Sequence, residues 1–327
     1  MQQFSLKRRI FLHAVEDVLL GLYYSSIVLA RALPAPVFYA LVKLFGAFLY
    51  YSRPRVRSDL RAKVSTAMPE VTDSRELDRI GRGAYCALLL NVPDFALFRR
   101  NGDRFVNGLE IAGMENLERA EAKGKGVLLS LTHMGRTALL HTVMARLEKP
   151  YTLVMWHPDT TPVPRYTMKM VMEGWMLGCD PDNLVIWVGP DYDTMGEVRE
   201  ALAQGKRVAV LSDVSGKRSV ELFGRRAALA DGIAYWAYES GTPIVPATLI
   251  REKRSFRSKV VIGQPLSYEL SGDRKTDIDA IMREVACSSE TMIRKAPEQW
   301  MSWFGLWQWW SQAIELDEAS EKALAKP

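Results

Sequence analysis

The sequence predicts an α/β protein with a mixed, largely parallel sheet flanked by helices and an N-terminal apolar helical hairpin. From Gly126 onward, short apolar runs alternate with longer amphipathic segments, the pattern of strands and helices wound into a layered sheet. Before that point the chain reads as helical, and its first 63 residues hold two long apolar stretches. No period of 20–50 residues recurs, which excludes a solenoid.

The hairpin comes first. Val18–Ala30 and Ala35–Tyr51 are apolar, and Pro34 and Pro36 separate them into two helices joined by a tight turn. The first is shorter than the roughly 20 residues a bilayer crossing requires. Lys43 and Gly46 interrupt the second, and no small-residue cleavage site follows to make either a secretory signal. Residues 1–63 carry ten Lys/Arg against three acids, within a whole-chain charge of +5. Lys7-Arg8-Arg9 precede the first stretch, and Arg53, Arg55 and Arg57 follow the second. Cations flanking apolar helices suit an anionic membrane surface better than nucleic acid. Residues 1–63 are therefore read as a membrane-associating region, 64–310 as the α/β domain, and 311–327 as a polar, loosely attached tail. A hairpin buried in a soluble core is the alternative.

Within the α/β domain, residues 53–100 read as helical. Strands are expected at Gly126–Thr132, Tyr151–Trp156, Leu184–Val188, Arg207–Ser212, Pro243–Ile250 and Lys259–Ile262. Helices are expected at Thr137–Leu147, Arg165–Leu177, Thr194–Gln204, Gly232–Ser240 and Asp277–Ile293. Three scattered cysteines and four histidines without a ligand spacing argue against a disulfide framework and a metal centre. Walker A, GxSxG and GxGxxG motifs are absent, which argues against nucleotide hydrolysis, serine-hydrolase chemistry and dinucleotide chemistry.

His133 ends the first strand and precedes a helix, at the edge where α/β proteins bind ligands. The positive end of that helix would keep its ring neutral and available as a general base. A turn-capping histidine is the competing reading. Arg136, one helical turn on, would enter the same site and stabilise an oxyanion or bind an anionic headgroup. His157, with Asp159 two residues on to orient a ring, ends another strand, whereas His141 reads as core and His13 as a surface or headgroup contact. In 207–251, Asp213 ends a strand, Gly216 permits a tight turn, and Lys217, Arg218 and Arg225 place cations around Phe223 and Gly224. Such a loop is suited to a phosphate, as in phosphopantetheine or a phospholipid headgroup, or is simply a solvated basic loop. In APEQWMSWFGLWQWW, residues 296–310, helical spacing would put Trp300, Trp303 and Trp307 on one face, as an interface belt, an acyl-chain groove or core.

These segments, taken in order, resemble the bacterial lipid A biosynthesis acyltransferase family over nearly the whole chain: the apolar hairpin, the strand into His133, the Asp213–Gly216 turn, FGRRAA with SGTPIVPA, and APEQWMSW. The resemblance implies a glycerolipid-acyltransferase-like fold at the cytoplasmic face of the bacterial inner membrane. It implies transfer of a fatty acyl chain from acyl carrier protein, or coenzyme A, to a hydroxyl or amine of a lipid or glycolipid, with no bound cofactor. The family signature is a histidine followed five residues later by Asp or Glu. Here that position is Ala138, which cannot orient a ring. Asp159 or Asp213 would substitute, a better-placed or more acidic acceptor would need no acid, or the chain is a non-catalytic member that binds lipid or acyl carrier protein. Leu229 and Asp231 stand where relatives usually carry threonines, so the acceptor need not be lipid A.

Overall fold

The computed structural model describes residues 21, 24–29, 32–157, 184–252 and 257–324. The chain begins with helices α1 (Ala35–Tyr51), α2 (Pro54–Ala67) and α3 (Ser74–Asn107), then β1 (Glu110–Ala112) and α4 (Met114–Glu121). The central segment runs β2 (Val127–Gly135), α5 (Thr137–Arg146), β3 (Thr152–Trp156), β4 (Val185–Val188), α6 (Thr194–Ala203) and β5 (Arg207–Leu211). A hairpin of β6 (Ser215–Leu222) and β7 (Arg225–Leu229) follows, then α7 (Gly232–Ser240), β8 (Ile244–Arg251), β9 (Ser258–Ile262) and α8 (Arg274–Lys295). Short 3-10 turns at Pro297–Gln299 and Met301–Gly305 lead into α9 (Leu306–Leu324).

Seven strands form one sheet in the order β1-β9-β8-β2-β5-β3-β4. Every pairing is parallel except β8 with β9, which matches the mixed, largely parallel sheet expected. Central β2 is covered on both faces, and that is why it reads VLLSL rather than as an alternation. Val127, Leu129 and Leu131 pack with Leu139, Leu140 and Val143 of α5. Leu128 and Met134 join the other layer, with Ile278 and Ile281 of α8 and with Trp300 and Trp303. Of the nine residues of β2, only His133 is not fully buried.

The amino-terminal region is neither wholly buried nor separate. α1 buries Phe38, Tyr39 and Tyr50 but leaves Val37, Leu41, Leu44, Phe45 and Phe48 exposed, Leu44 to 69%. These recur at helical spacing and form one apolar face. Of the first predicted arm, Tyr24–Leu29 is helical; Lys7-Arg8-Arg9 and His13 lie outside the described residues. Among the described residues no single helix is long and apolar enough to cross a membrane, and α1 with α2 passes that test only as a pair bent by 94°. The expected boundary at 63/64 falls inside α2, whose Lys63 is buried and donates to the Phe304 carbonyl, so the region is tied into the domain.

The carboxyl terminus also corrects the expectation. Ser311–Leu324 is not a loose tail but continues α9. Ala313 is fully buried, Ser215 donates to Gln312 (2.6 Å) and Ser219 to Asp317 (3.0 Å), so polar residues there bind the β6–β7 hairpin. The hairpin replaces the basic loop expected in the Asp213–Arg226 region. Its turn is Phe223-Gly224, both at positive φ (55° and 67°), the conformation of a tight hairpin turn. Gly216 serves close packing instead of a turn: a Cβ there would lie 2.3 Å from Ala230 Cα. The expected helix Arg165–Leu177 and Asp159 lie outside the described residues.

Candidate active site

A break in the β2–β8 ladder turns His133 out of the core. Pairing runs from Leu128–Ile244 to Leu131–Ala247 and resumes at Gly135–Leu249, so three β2 residues stand opposite one of β8. Such a bulge re-aims a side chain. Gly135 closes it at φ 61°, and a Cβ there would lie 2.2 Å from the Leu249 carbonyl oxygen, so only glycine fits. Thr137 secures the bulge, accepting from the Met134 N–H (3.2 Å) and donating to the Thr132 carbonyl (2.6 Å).

Neighbouring β5 brings Asp213 to the same place. The Ser212 N–H donates to the Leu131 carbonyl (2.8 Å), and the Ser130 and Ser212 hydroxyls share a hydrogen bond (2.6 Å). With the strand ends fastened together, Asp213 Oδ1 lies 2.9 Å from His133 Nδ1. Its other oxygen, Oδ2, accepts from the His133 backbone N–H (2.9 Å), the Trp300 indole N–H (2.7 Å) and the Ser302 hydroxyl (3.1 Å). The carboxylate is 1% exposed and the imidazole 36%. A buried, fully hydrogen-bonded acid thus holds one ring nitrogen of a histidine that reaches solvent. Since the carboxylate accepts, Nδ1 carries the hydrogen and Nε2 presents its lone pair.

Burial lowers the His133 pKa, but the Asp213 charge and its hydrogen bonds outweigh burial and hold the ring above its ordinary value of 6.5. The expected effect of the following helix in keeping the ring neutral is overridden, because the carboxylate touches the ring and α5 begins four residues away. Both Asp213 oxygens are already engaged by the protein, which suits the residue to orienting the ring.

Arg136 does not enter the site. It is 2% exposed and points into the layer between α1 and α3, donating to Asp94 Oδ1 (2.7 Å), the Tyr39 hydroxyl (2.9 Å), the Arg257 carbonyl (2.9 Å) and the Ser258 hydroxyl. Its backbone N–H bonds the Leu249 carbonyl, which directs the side chain to the β8–β9 side. Arg218 is bound to Asp231 (3.0 Å) and Asp279 (2.9 Å), while Arg225 stacks over the Trp310 ring. Phe223 is buried against Trp300 and Trp303; Lys217 and Gly224 are exposed on the hairpin. His141 lies in the core beside Tyr151, its pKa lowered to about 4 by burial. His157 packs between Trp187 and Tyr192, and β5 separates its strand from β2.

Trp300 and Ser302 were not legible as site residues. Trp300, Trp303, Trp309 and Trp310 are buried and Trp307 donates to Asp59, so the cluster is core, not an interface belt. Trp300 and Trp303 precede α9 and share no helical face with Trp307. The available signal was chemical: a buried indole N–H needs an acceptor, and a carboxylate at the end of a buried strand needs donors.

Comparison with curated proteins returned no match. The profile of a protein family, described as bacterial lipid A biosynthesis acyltransferase, matches residues 6–309. That span includes the bulged strand with His133, Asp213 and the Trp300 turn. The chain belongs to the bacterial lipid A biosynthesis acyltransferase family and is an acyltransferase.

Proposed function

We propose that the protein transfers a fatty acyl chain from an acyl thioester, carried on acyl carrier protein or coenzyme A, to a hydroxyl or amine of a lipid or lipid-linked acceptor. The observation that carries this reading is the 2.9 Å contact between His133 Nδ1 and Asp213 Oδ1. It supplies from β5 the orienting acid that Ala138 cannot supply from α5. His133 Nε2 removes the proton from the acceptor as its oxygen or nitrogen attacks the thioester carbonyl. The tetrahedral intermediate then expels the thiolate, which takes the proton back from the imidazolium. Asp213 keeps the tautomer and stabilises the imidazolium without taking the proton itself.

The exposed apolar face of α1 supports work at a membrane surface, with Lys43, Arg53 and Arg55 exposed beside it to meet anionic headgroups. We assign that surface to the cytoplasmic face of the bacterial inner membrane.

Lipid extracts from cells carrying wild type, His133→Ala or no protein, compared by mass spectrometry, test the reading. A lipid that gains one acyl mass with wild type alone is the expected result, and it names the acceptor. Identical products from wild type and His133→Ala would remove His133 as the base.

A further inference from the structure

The layer that holds Arg136 contains a charge imbalance. Asp94, 2% exposed, pairs with both Arg136 and Arg251, whose side chains are 2% and 8% exposed. Two guanidiniums on one carboxylate leave a net buried charge of +1. Every guanidinium nitrogen of Arg136 has a partner among Asp94, Tyr39, Ser258 and the Arg257 carbonyl. Arg251 differs. Its Nε (2.9 Å) and Nη2 (2.6 Å) both donate to Asp94 Oδ2, Nη2 also reaches Asn91 Oδ1 (3.2 Å), and Nη1 is buried with no partner. Burial and the nearby Arg136 charge both lower its pKa, against the pull of Asp94.

A second donor beside it is also underused. With Asn91 Oδ1 taken by Arg251, the amide Nδ2 donates to the Met301 thioether (3.3 Å), a weak acceptor. Gln299 fixes the Arg251 backbone from both sides, accepting from its N–H (2.9 Å) and donating to its carbonyl (2.8 Å). The adjacent residue is Trp300, which holds Asp213. One turn therefore sets the position of both Arg251 and the His133 partner. β8 and β2 run parallel, so Arg251 and His133 lie at the same carboxyl edge, where α/β sheets take ligands.

We infer that Arg251 and Asn91 form an anion site for a phosphate group, at the carboxyl edge of β8 beside the Asp94 cluster. A tetrahedral oxyanion matches the free edge of the guanidinium, would neutralise the excess charge, and would accept from the Asn91 amide in place of the thioether. The phosphate of an anionic lipid acceptor and that of a phosphopantetheine donor share this chemistry. Only the choice between these sources rests on the acyl-transfer reading; phosphate binding does not.

The test is titration of the full-length protein in nonionic detergent with inorganic phosphate at constant ionic strength, followed by calorimetry and by thermal unfolding. Wild type and His133→Ala should bind saturably and gain melting temperature, so a failure of the His133 chemistry leaves this result standing. Arg251→Gln should weaken binding at least tenfold, equivalent to about 1.4 kcal/mol. Because that variant disturbs the Asp94 pair, Asn91→Asp provides a second reading. Its carboxylate would neutralise Arg251 internally, so it should raise the melting temperature without phosphate and abolish the phosphate response. Displacement by 4′-phosphopantetheine assigns the donor, and displacement by micelles doped with phosphatidic acid but not diacylglycerol assigns the acceptor. Absence of saturable phosphate binding in wild type overturns the inference. So does an unchanged affinity in both variants, or binding that neither competitor displaces.

Discussion

Asp213→Asn is the sharpest perturbation of the site, because the four hydrogen bonds to Asp213 dictate how asparagine must sit. Oδ2 receives three donors, from the His133 backbone, Trp300 and Ser302, and Oδ1 receives one, from the ring. Placing the amide NH₂ against the three donors would leave each unpaired at about 1–3 kcal/mol, or roughly 3–9 kcal/mol in all. The carbonyl oxygen therefore takes the Oδ2 position and the NH₂ faces His133 Nδ1. Nδ1 must then accept, its hydrogen moves to Nε2, and the nitrogen that acts as base is blocked. An isosteric change with this tautomer consequence costs about 10⁴ in rate, equivalent to about 5.5 kcal/mol of barrier. Three bonds to a charged acceptor become neutral ones, so stability should fall by only about 1–3 kcal/mol.

The assay is kcat/KM for acyl transfer in mixed micelles across pH, with tryptophan fluorescence reporting the fold around Trp300. In wild type only the neutral ring is a base, so activity should rise with pH through a midpoint above 6.5, the direction in which Asp213 moves the ring. In Asp213→Asn the residual activity should rise at lower pH, because the raising charge is gone. The same ion pair stabilises the fold below the unfolded histidine pKa and loses that contribution as pH rises through the elevated folded value. A folded Asp213→Asn within tenfold of wild type, with its midpoint unmoved, would refute the assignment.

Four other outcomes are expected. Trp300→Phe keeps most of the aromatic packing but removes the 2.7 Å donor to Asp213, so stability should drop by about 1.5–3 kcal/mol in chemical denaturation. Its kcat should fall roughly tenfold, for about 1.4 kcal/mol of lost ring positioning, with KM little changed. Ala138→Glu restores the acid of the family signature, yet Asp213 already occupies His133 Nδ1, so kcat/KM should not exceed that of wild type; a clear gain would show that Asp213 is an inadequate orienter. Gly135→Ala forces a Cβ to within 2.2 Å of the Leu249 carbonyl at positive φ and should cost about 2–5 kcal/mol in thermal or urea unfolding. Gly124→Ala, also at positive φ but with open space around it, should cost only about 1–2 kcal/mol by the same measurement.

The α/β architecture was legible because each central strand is a mainly apolar run without polar alternation. A strand covered by helices on both faces has no reason to alternate, and VLLSL, RVAVL and PIVPATLI each carried that signature between helical segments. His133 was legible for a related reason: a titratable residue at the carboxyl end of such a run lies at the edge where α/β sheets take ligands. Its partner was harder to name. Asp159 and Asp213 were equally eligible by type, and the choice depended on β5 lying between β2 and β3, an order that strand-by-strand periodicity does not contain. Arg136 misled because one helical turn from His133 is near in sequence; the bulge that turns the histidine outward sends the chain across β8, and the guanidinium follows its backbone toward Asp94. The polar end of the chain misled in the opposite sense, since residues that bind a hairpin through Gln312 and Asp317 look the same as residues that face water. Composition shows which residues are able to meet water, while burial also depends on what the fold sets opposite them. For the same reason the excess charge at Arg251 was invisible: Asp94 and Arg136, its partners in that charge count, stand 157 and 115 positions earlier, and only the fold brings the three together.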